Sequence, residues 1–142
     1  MGSLPVIFCR NHSLGSILLR GFLWSPWSHC AIIDGDWVIE ASAFHGVRER
    51  PLADLLANST KWELRNFPCA NPQAVLTQAR SQMGKPYDWA GIFGILTRQR
   101  FERVDRWFCS ELIAWAFAQA GSPLVRGHLY RITPRDLSIL PH

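Results

Sequence analysis

The sequence predicts an α+β domain, a hairpin-rich sheet with helices gathered around it. Three observations carry this. Asp34-Gly35 separates two short runs rich in β-branched residues, His29 to Asp34 and Asp36 to Ala41, which is a strong hairpin signal. Asn71-Pro72 opens a helix, with Asn71 placed to cap it and Pro72 at its first position. Cys109 to Ala120 is an apolar helical run that stops at Gly121, with Pro123 beyond.

The remaining elements follow in order. Pro5 to Arg10 is a short apolar strand, and Leu14 to Phe22 fits a helix or a strand equally. Leu52 to Ala57 forms one or two helical turns after Pro51, and Lys61 to Phe67 alternates as a strand. The helix from Pro72 runs through Ala74, Val75 and Ala79 to Gly84, a natural stop. Asp88 to Leu96 reads as a further helix, and Thr133-Pro134-Arg135-Asp136 has the cap and proline of a last short one. With no repeat, low-complexity tract or linker, residues 1–142 read as one domain.

Composition narrows the class. Hydrophobic residues make up 48% and charged ones 18%, which excludes a disordered or fibrous chain. The net charge of +4 comes mostly from arginine, Lys61 and Lys85 being the lysines, and this modest excess does not select a partner. The acid inside Arg98-Gln99-Arg100-Phe101-Glu102-Arg103 argues against a nucleic-acid patch, so no nucleic-acid partner is expected. Seven tryptophans suit an aromatic-lined cleft. No segment is apolar enough to span a bilayer, because Arg10, His12, Arg20 and Pro26 interrupt the first third. No signal peptide is visible, so cytoplasmic synthesis is expected, and action at a cell wall would need non-classical or phage-mediated delivery. Oligomeric state is not legible.

The chemistry centres on Trp107-Phe108-Cys109-Ser110-Glu111-Leu112-Ile113. The first N–H groups of a helix lack partners within it and carry the positive end of its dipole. A thiol there is pushed toward the nucleophilic thiolate, and the same N–H groups, around Cys109 and Ser110, suit the oxyanion formed when sulfur attacks a carbonyl. Glu111, in the first turn, supports the helix N-terminus. A base comes from the hairpin. If Asp34-Gly35 is a two-residue turn, Ile33 faces Asp36, Ala31 faces Val38, and His29 lies opposite Glu40 on one face of the sheet. A carboxylate on one ring nitrogen would fix the tautomer and leave the other to take the thiol proton. His45, just after the second strand, is an alternative third residue, while His12, His128 and His142 read as surface residues.

The four cysteines, Cys9, Cys30, Cys69 and Cys109, show neither CxxC spacing nor disulfide density and read as reduced thiols. Cys9, His29, Cys30 and Glu40 are suitable metal-ligand types, but His29 and Cys30 are consecutive on a strand and point to opposite faces. No metal and no other cofactor is expected.

With these residues assembled, the chain resembles the circularly permuted branch of the NlpC-type papain-like amidases, and most nearly the YiiX-like and YaeF-like bacterial hydrolases. The matching segments are Trp27-Ser28-His29-Cys30-Ala31-Ile32-Ile33, Trp37-Val38-Ile39-Glu40-Ala41, Gly84-Lys85-Pro86-Tyr87-Asp88-Trp89, Phe108-Cys109-Ser110-Glu111-Leu112 and Thr133-Pro134-Arg135-Asp136-Leu137. The histidine strand comes first and the cysteine helix last, the permuted order. The resemblance implies a papain-like fold with Cys109 as nucleophile, His29 as base and Glu40 as its orienting residue. It also offers Tyr87 as a weaker candidate for positioning substrate or helping the oxyanion. It implies a cysteine hydrolase for an amide bond, with peptidoglycan stem peptides the leading substrate and a thioester intermediate. The scaffold is shared with the lecithin:retinol acyltransferase-like enzymes, which use a second histidine where this chain has Glu40. Two alternatives remain: a thiol acyltransferase or lipid amidase, and a non-catalytic cell-wall or virion binding module.

Overall fold

The structure is a computed structural model that describes residues 2–10, 27–42, 45–85, 109–124, 137, 138 and 140. Among the described residues five antiparallel strands form one sheet in the order β4-β3-β2-β1-β5. They are β1 (Gly2–Arg10), β2 (His29–Asp34), β3 (Trp37–Ser42), β4 (Gly46–Pro51) and β5 (Lys61–Cys69). Among the described residues three helices accompany them: α1 (Leu52–Ala57), α2 (Pro72–Arg80) and α3 (Cys109–Gln119). The fold is α+β, as the sequence predicts. The possible element at Leu14 to Phe22, the helix at Asp88 to Leu96 and the helix start at Thr133 to Asp136 lie outside the described residues.

Both faces of the sheet are covered, which explains why β1 and β2 are so continuously apolar. On one face Ile7, Cys9, Ala31, Ile33 and Val38 form a core with Leu55 of α1, flanked by Leu52 and Leu56. On the other, Val6, Phe8, Cys30, Ile32, Ile39, Ala41 and Phe67 pack against α2 and α3. Phe67 joins sheet to helix there, edge to face with Phe8 (ring centroids 6.4 Å apart) and with Phe117 of α3 (6.3 Å). Helix α3 is buried on nearly every side, from Cys109 through Ala114 and again at Ala116 and Phe117. A helix so apolar all round belongs in an interior.

The hairpin departs from the predicted register. Asp34 pairs with Trp37, Ile33 with Val38 and Ile32 with Ile39, so the two turn residues are Gly35 and Asp36. Gly35 takes φ 60°, the left-handed conformation that glycine adopts without steric cost. Carried along the strands, this register puts Glu40 opposite Ala31, two residues along from His29, so the predicted direct opposition of His29 and Glu40 does not form. The shift is of two residues, and side chains alternate with period two, so the pair stays on one face.

Two further departures bear on the site. Strand β4 covers Gly46–Pro51, a stretch to which the sequence reading assigns no element. It is an edge strand, pairing Glu40 with Arg48 and Val38 with Arg50, and charged side chains are common on edges. Helix α2, capped as predicted by the Asn71 side chain accepting from Ala74 N–H, ends at Arg80 and not at Gly84. Beyond it the chain turns through i→i+3 bonds, with Gln82 N–H donating to Ala79 and Met83 N–H to Arg80. Gly84 N–H then donates to Val47 O and Val47 N–H to Lys85 O, tying this turn to β4. Arg80 adds ion pairs to Asp34 and Glu49, fastening the end of α2 to the hairpin and to β4.

Candidate active site

Cys109 is the first residue of α3 and is buried in the core between that helix and the sheet. His29 is the first residue of β2 and is half-buried. The two meet at the start of β2, where the imidazole is hydrogen-bonded to the sulfur. On the other side of the ring, Nε2 lies 2.6 Å from Glu40 Oε2, a contact between residues eleven apart in sequence. With Nε2 so engaged, Nδ1 is the nitrogen left for the sulfur. The residues singled out as nucleophile, base and orienter therefore lie in one chain of contacts.

Glu40 is 1% exposed, and a bare buried carboxylate would be costly. It is fully partnered. Arg48 Nε donates to Oε1 at 3.1 Å and Arg50 Nη2 to Oε2 at 3.3 Å, with Arg50 Nε in ionic contact with Oε1 at 2.7 Å. Sequence reasoning missed both arginines because it missed β4. Alternation within Val47-Arg48-Glu49-Arg50, beside a carboxylate strand, was the signal that could have found them.

The electrostatics separate the four thiols. Burial pushes the Cys109 thiol up, but hydrogen bonds from the Cys30 thiol and from His29, with the charge on His29, outweigh it and lower its pKa from 9.0 to about 5. Burial, the largest cause in each case, raises Cys30, Cys9 and Cys69 above the ordinary thiol range, and for Cys30 the hydrogen bond it gives Cys109 raises it further. His29 is disfavoured as a cation by burial, yet its bonds to Cys109 and Glu40 hold it well above 6.5. Burial would raise Glu40, but His29 and then the two arginines lower it from 4.5 to about 2. At neutral pH the site is a thiolate and an imidazolium, backed by a carboxylate: an activated nucleophile with a proton donor beside it.

Other candidates are placed differently. His45 is exposed, with Nδ1 3.5 Å from Ser42 Oγ, so Glu40 and not His45 holds the His29 ring. Ser110 is buried in the first turn of α3, beside the nucleophile. Tyr87, His12, His128 and His142 lie outside the described residues. Cys30 gains an unforeseen role as a neighbour of Cys109. Although it and His29 point to opposite faces, the sulfur at the strand's end touches both. Among the described residues no group of three or more His, Cys, Asp or Glu is arranged to hold a metal ion, and no helix is long and apolar enough to cross a membrane.

Comparison with known proteins bears on the fold and the family. No curated protein matches the chain. Among solved structures it is similar to the crystal structure titled metalloprotein yiiX from Escherichia coli O157:H7, with a TM-score of 0.68 and 22% identity over 87% of this chain and 68% of that one. At that identity the likeness speaks for the fold. The family of permuted papain-like amidase enzymes, YaeF/YiiX, matches residues 6–132, nearly the whole length. The chain belongs to this family of permuted papain-like amidases, and it is an enzyme of the cysteine hydrolase type.

Proposed function

We propose that Cys109 is the nucleophile of an amide hydrolysis that proceeds through a thioester. The observation that carries this reading is the contact chain from the Cys109 sulfur through the His29 imidazole to Glu40 Oε2. The Cys109 thiolate attacks the amide carbon, and the carbonyl π electrons move onto oxygen. That oxyanion is stabilised by the positive end of α3, at the backbone N–H groups around Cys109 and Ser110. The imidazolium of His29 passes its proton to the leaving nitrogen as the C–N bond breaks, giving an amine and a thioester. Neutral His29 then takes a proton from water, whose oxygen attacks the thioester. Collapse releases the acid, and the Cys109 thiolate and His29 imidazolium are restored.

The leading substrate is a peptidoglycan stem peptide, an amide-rich chain. One observation favours a second reading, an amide carrying an acyl chain. Trp62 and Leu64 of β5 are each 48% exposed, and they lie on the sheet face of His29, in the rows Trp62–Cys9–His29 and Leu64–Ile7–Ala31. Incubation of the protein with soluble stem peptides and with N-acyl amino acids, read by mass spectrometry, separates the two. Cleavage should be lost in Cys109→Ala with the circular dichroism spectrum unchanged. Cleavage that survives in Cys109→Ala would remove Cys109 from the chemistry.

A further inference from the structure

We propose that Arg48 and Arg50 are positioning residues for the reaction: they fix the plane of the Glu40 carboxylate against His29 and offset its charge, so that the imidazolium remains acidic enough to give up its proton. This rests on the reading of Cys109 and His29 as nucleophile and base.

The geometry is specific. A carboxylate has room for about four hydrogen-bond donors, and here three hydrogen bonds and one ionic contact, from Arg50 Nε, surround it. Oε2 takes His29 Nε2 at 2.6 Å and Arg50 Nη2 at 3.3 Å. Oε1 takes Arg48 Nε at 3.1 Å and Arg50 Nε at 2.7 Å. Arg50 thus reaches both oxygens, with a hydrogen bond to one and an ionic contact with the other, and together with Arg48 it sets the rotation of the carboxylate about its last bond. Arg48 is directly opposite Glu40 in the sheet, and Arg50 is two residues along on the same face. Exposed ion pairs contribute little, but Glu40 is 1% exposed, and its arginine partners are 28% and 19% exposed, which limits screening at the carboxylate.

The charge matters as much as the orientation. A lone buried carboxylate beside an imidazolium would hold the proton there and slow its transfer to a leaving amine. Two guanidinium groups on that carboxylate leave the Glu40–Arg48–Arg50 cluster with one net positive charge. The groups facing His29 are Glu40 from β3, Cys9 from β1 and Cys109 from α3, with Arg48 and Arg50 of β4 behind Glu40. Cys9, held as a thiol by burial, adds no charge.

Removing one guanidinium should therefore stabilise the imidazolium. Nitrogen-15 NMR of histidine-labelled full-length protein reads the His29 titration directly, with His29→Ala to assign the signal. In Arg50→Gln and Arg48→Gln the His29 midpoint should rise by about half to one pH unit. Arg50→Lys, which keeps the charge, should stay near the wild-type midpoint. Iodoacetamide alkylation of Cys109 across pH should show its upper limb moving by the same amount. If Arg50→Gln does not fold, the more exposed Arg48→Gln carries the test. A His29 midpoint unmoved in the glutamine variants, with only the melting temperature lowered, makes the arginines plain structural ion pairs and overturns the proposal. A wild-type Cys109 that alkylates no faster at pH 6 than a free thiol overturns the amidase reading itself and the proposal with it.

Discussion

His29 and Glu40 are bonded at 2.6 Å although they are not opposite each other in the sheet. The register places Glu40 across from Ala31, and diagonal neighbours on one face still lie within reach of long side chains. A glutamate spans that diagonal and an aspartate would fall short. The side-chain length at position 40 thus belongs to the site as much as its charge does.

The third residue can be tested against its rival. Glu40→Gln keeps the length but loses the charge, and it should lower kcat/KM for amide hydrolysis about a hundredfold or more. His45→Ala should leave it within about twofold, since His45 is exposed and bonded to Ser42. Steady-state rates for both variants decide it. A larger loss in His45→Ala than in Glu40→Gln reverses the assignment.

Stability should rise with pH from about 2 to about 6.5 and then level off. Glu40 is depressed from 4.5 to about 2, so its contribution is complete above 4.5 and is lost as pH falls toward 2. Its size is on the order of 3 kcal/mol. Cys109 is depressed from 9.0 to about 5, so the unfolded chain binds the extra proton above pH 5 and stability climbs. Above 6.5 the unfolded imidazole loses its proton while folded His29, raised, keeps its own. The proton missing from the folded thiol is then matched by the one retained on the imidazole, and the slope vanishes. Urea unfolding across pH measures this, and a stability that falls steadily between pH 5 and 6.5 contradicts it.

Phe67→Ala should cost about 3–5 kcal/mol, because a fully buried ring that touches both Phe8 and Phe117 is replaced by a cavity. Denaturant titration reads the loss directly. A cost under 1 kcal/mol would mean that α3 is not held to the sheet through this ring.

The hairpin turn gives a cleaner backbone test. Nothing lies within 4 Å of a Cβ placed on Gly35, so substitution there meets only its positive φ. Gly35→Ala should cost about 1–2 kcal/mol, and Gly35→Asn less, as asparagine tolerates the left-handed region. Equal costs for the two, by thermal or urea unfolding, would point to a contact at the turn and not to its dihedral angle.

Local signals in the sequence settled a good deal. Turn chemistry at Asp34-Gly35 set two strands and, by parity, the shared face of His29 and Glu40. The cap at Asn71 started α2, and the apolar run ending at Gly121 defined α3 with Cys109 at its head. These depend on residues a few positions apart, where propensity and periodicity act directly. Tertiary structure alone decided the rest. A two-residue slip in hairpin register leaves the face pattern unchanged, so alternation could not choose between registers. Strand β4 is polar and forms only because β3 offers a ladder and Glu40 offers a charge, which is why Arg48 and Arg50 were invisible beforehand. The meeting of Cys109 with His29 and Cys30 joins segments some 80 positions apart. Only the packing of α3 on the sheet closes a loop of that length, because no local preference offsets its entropy.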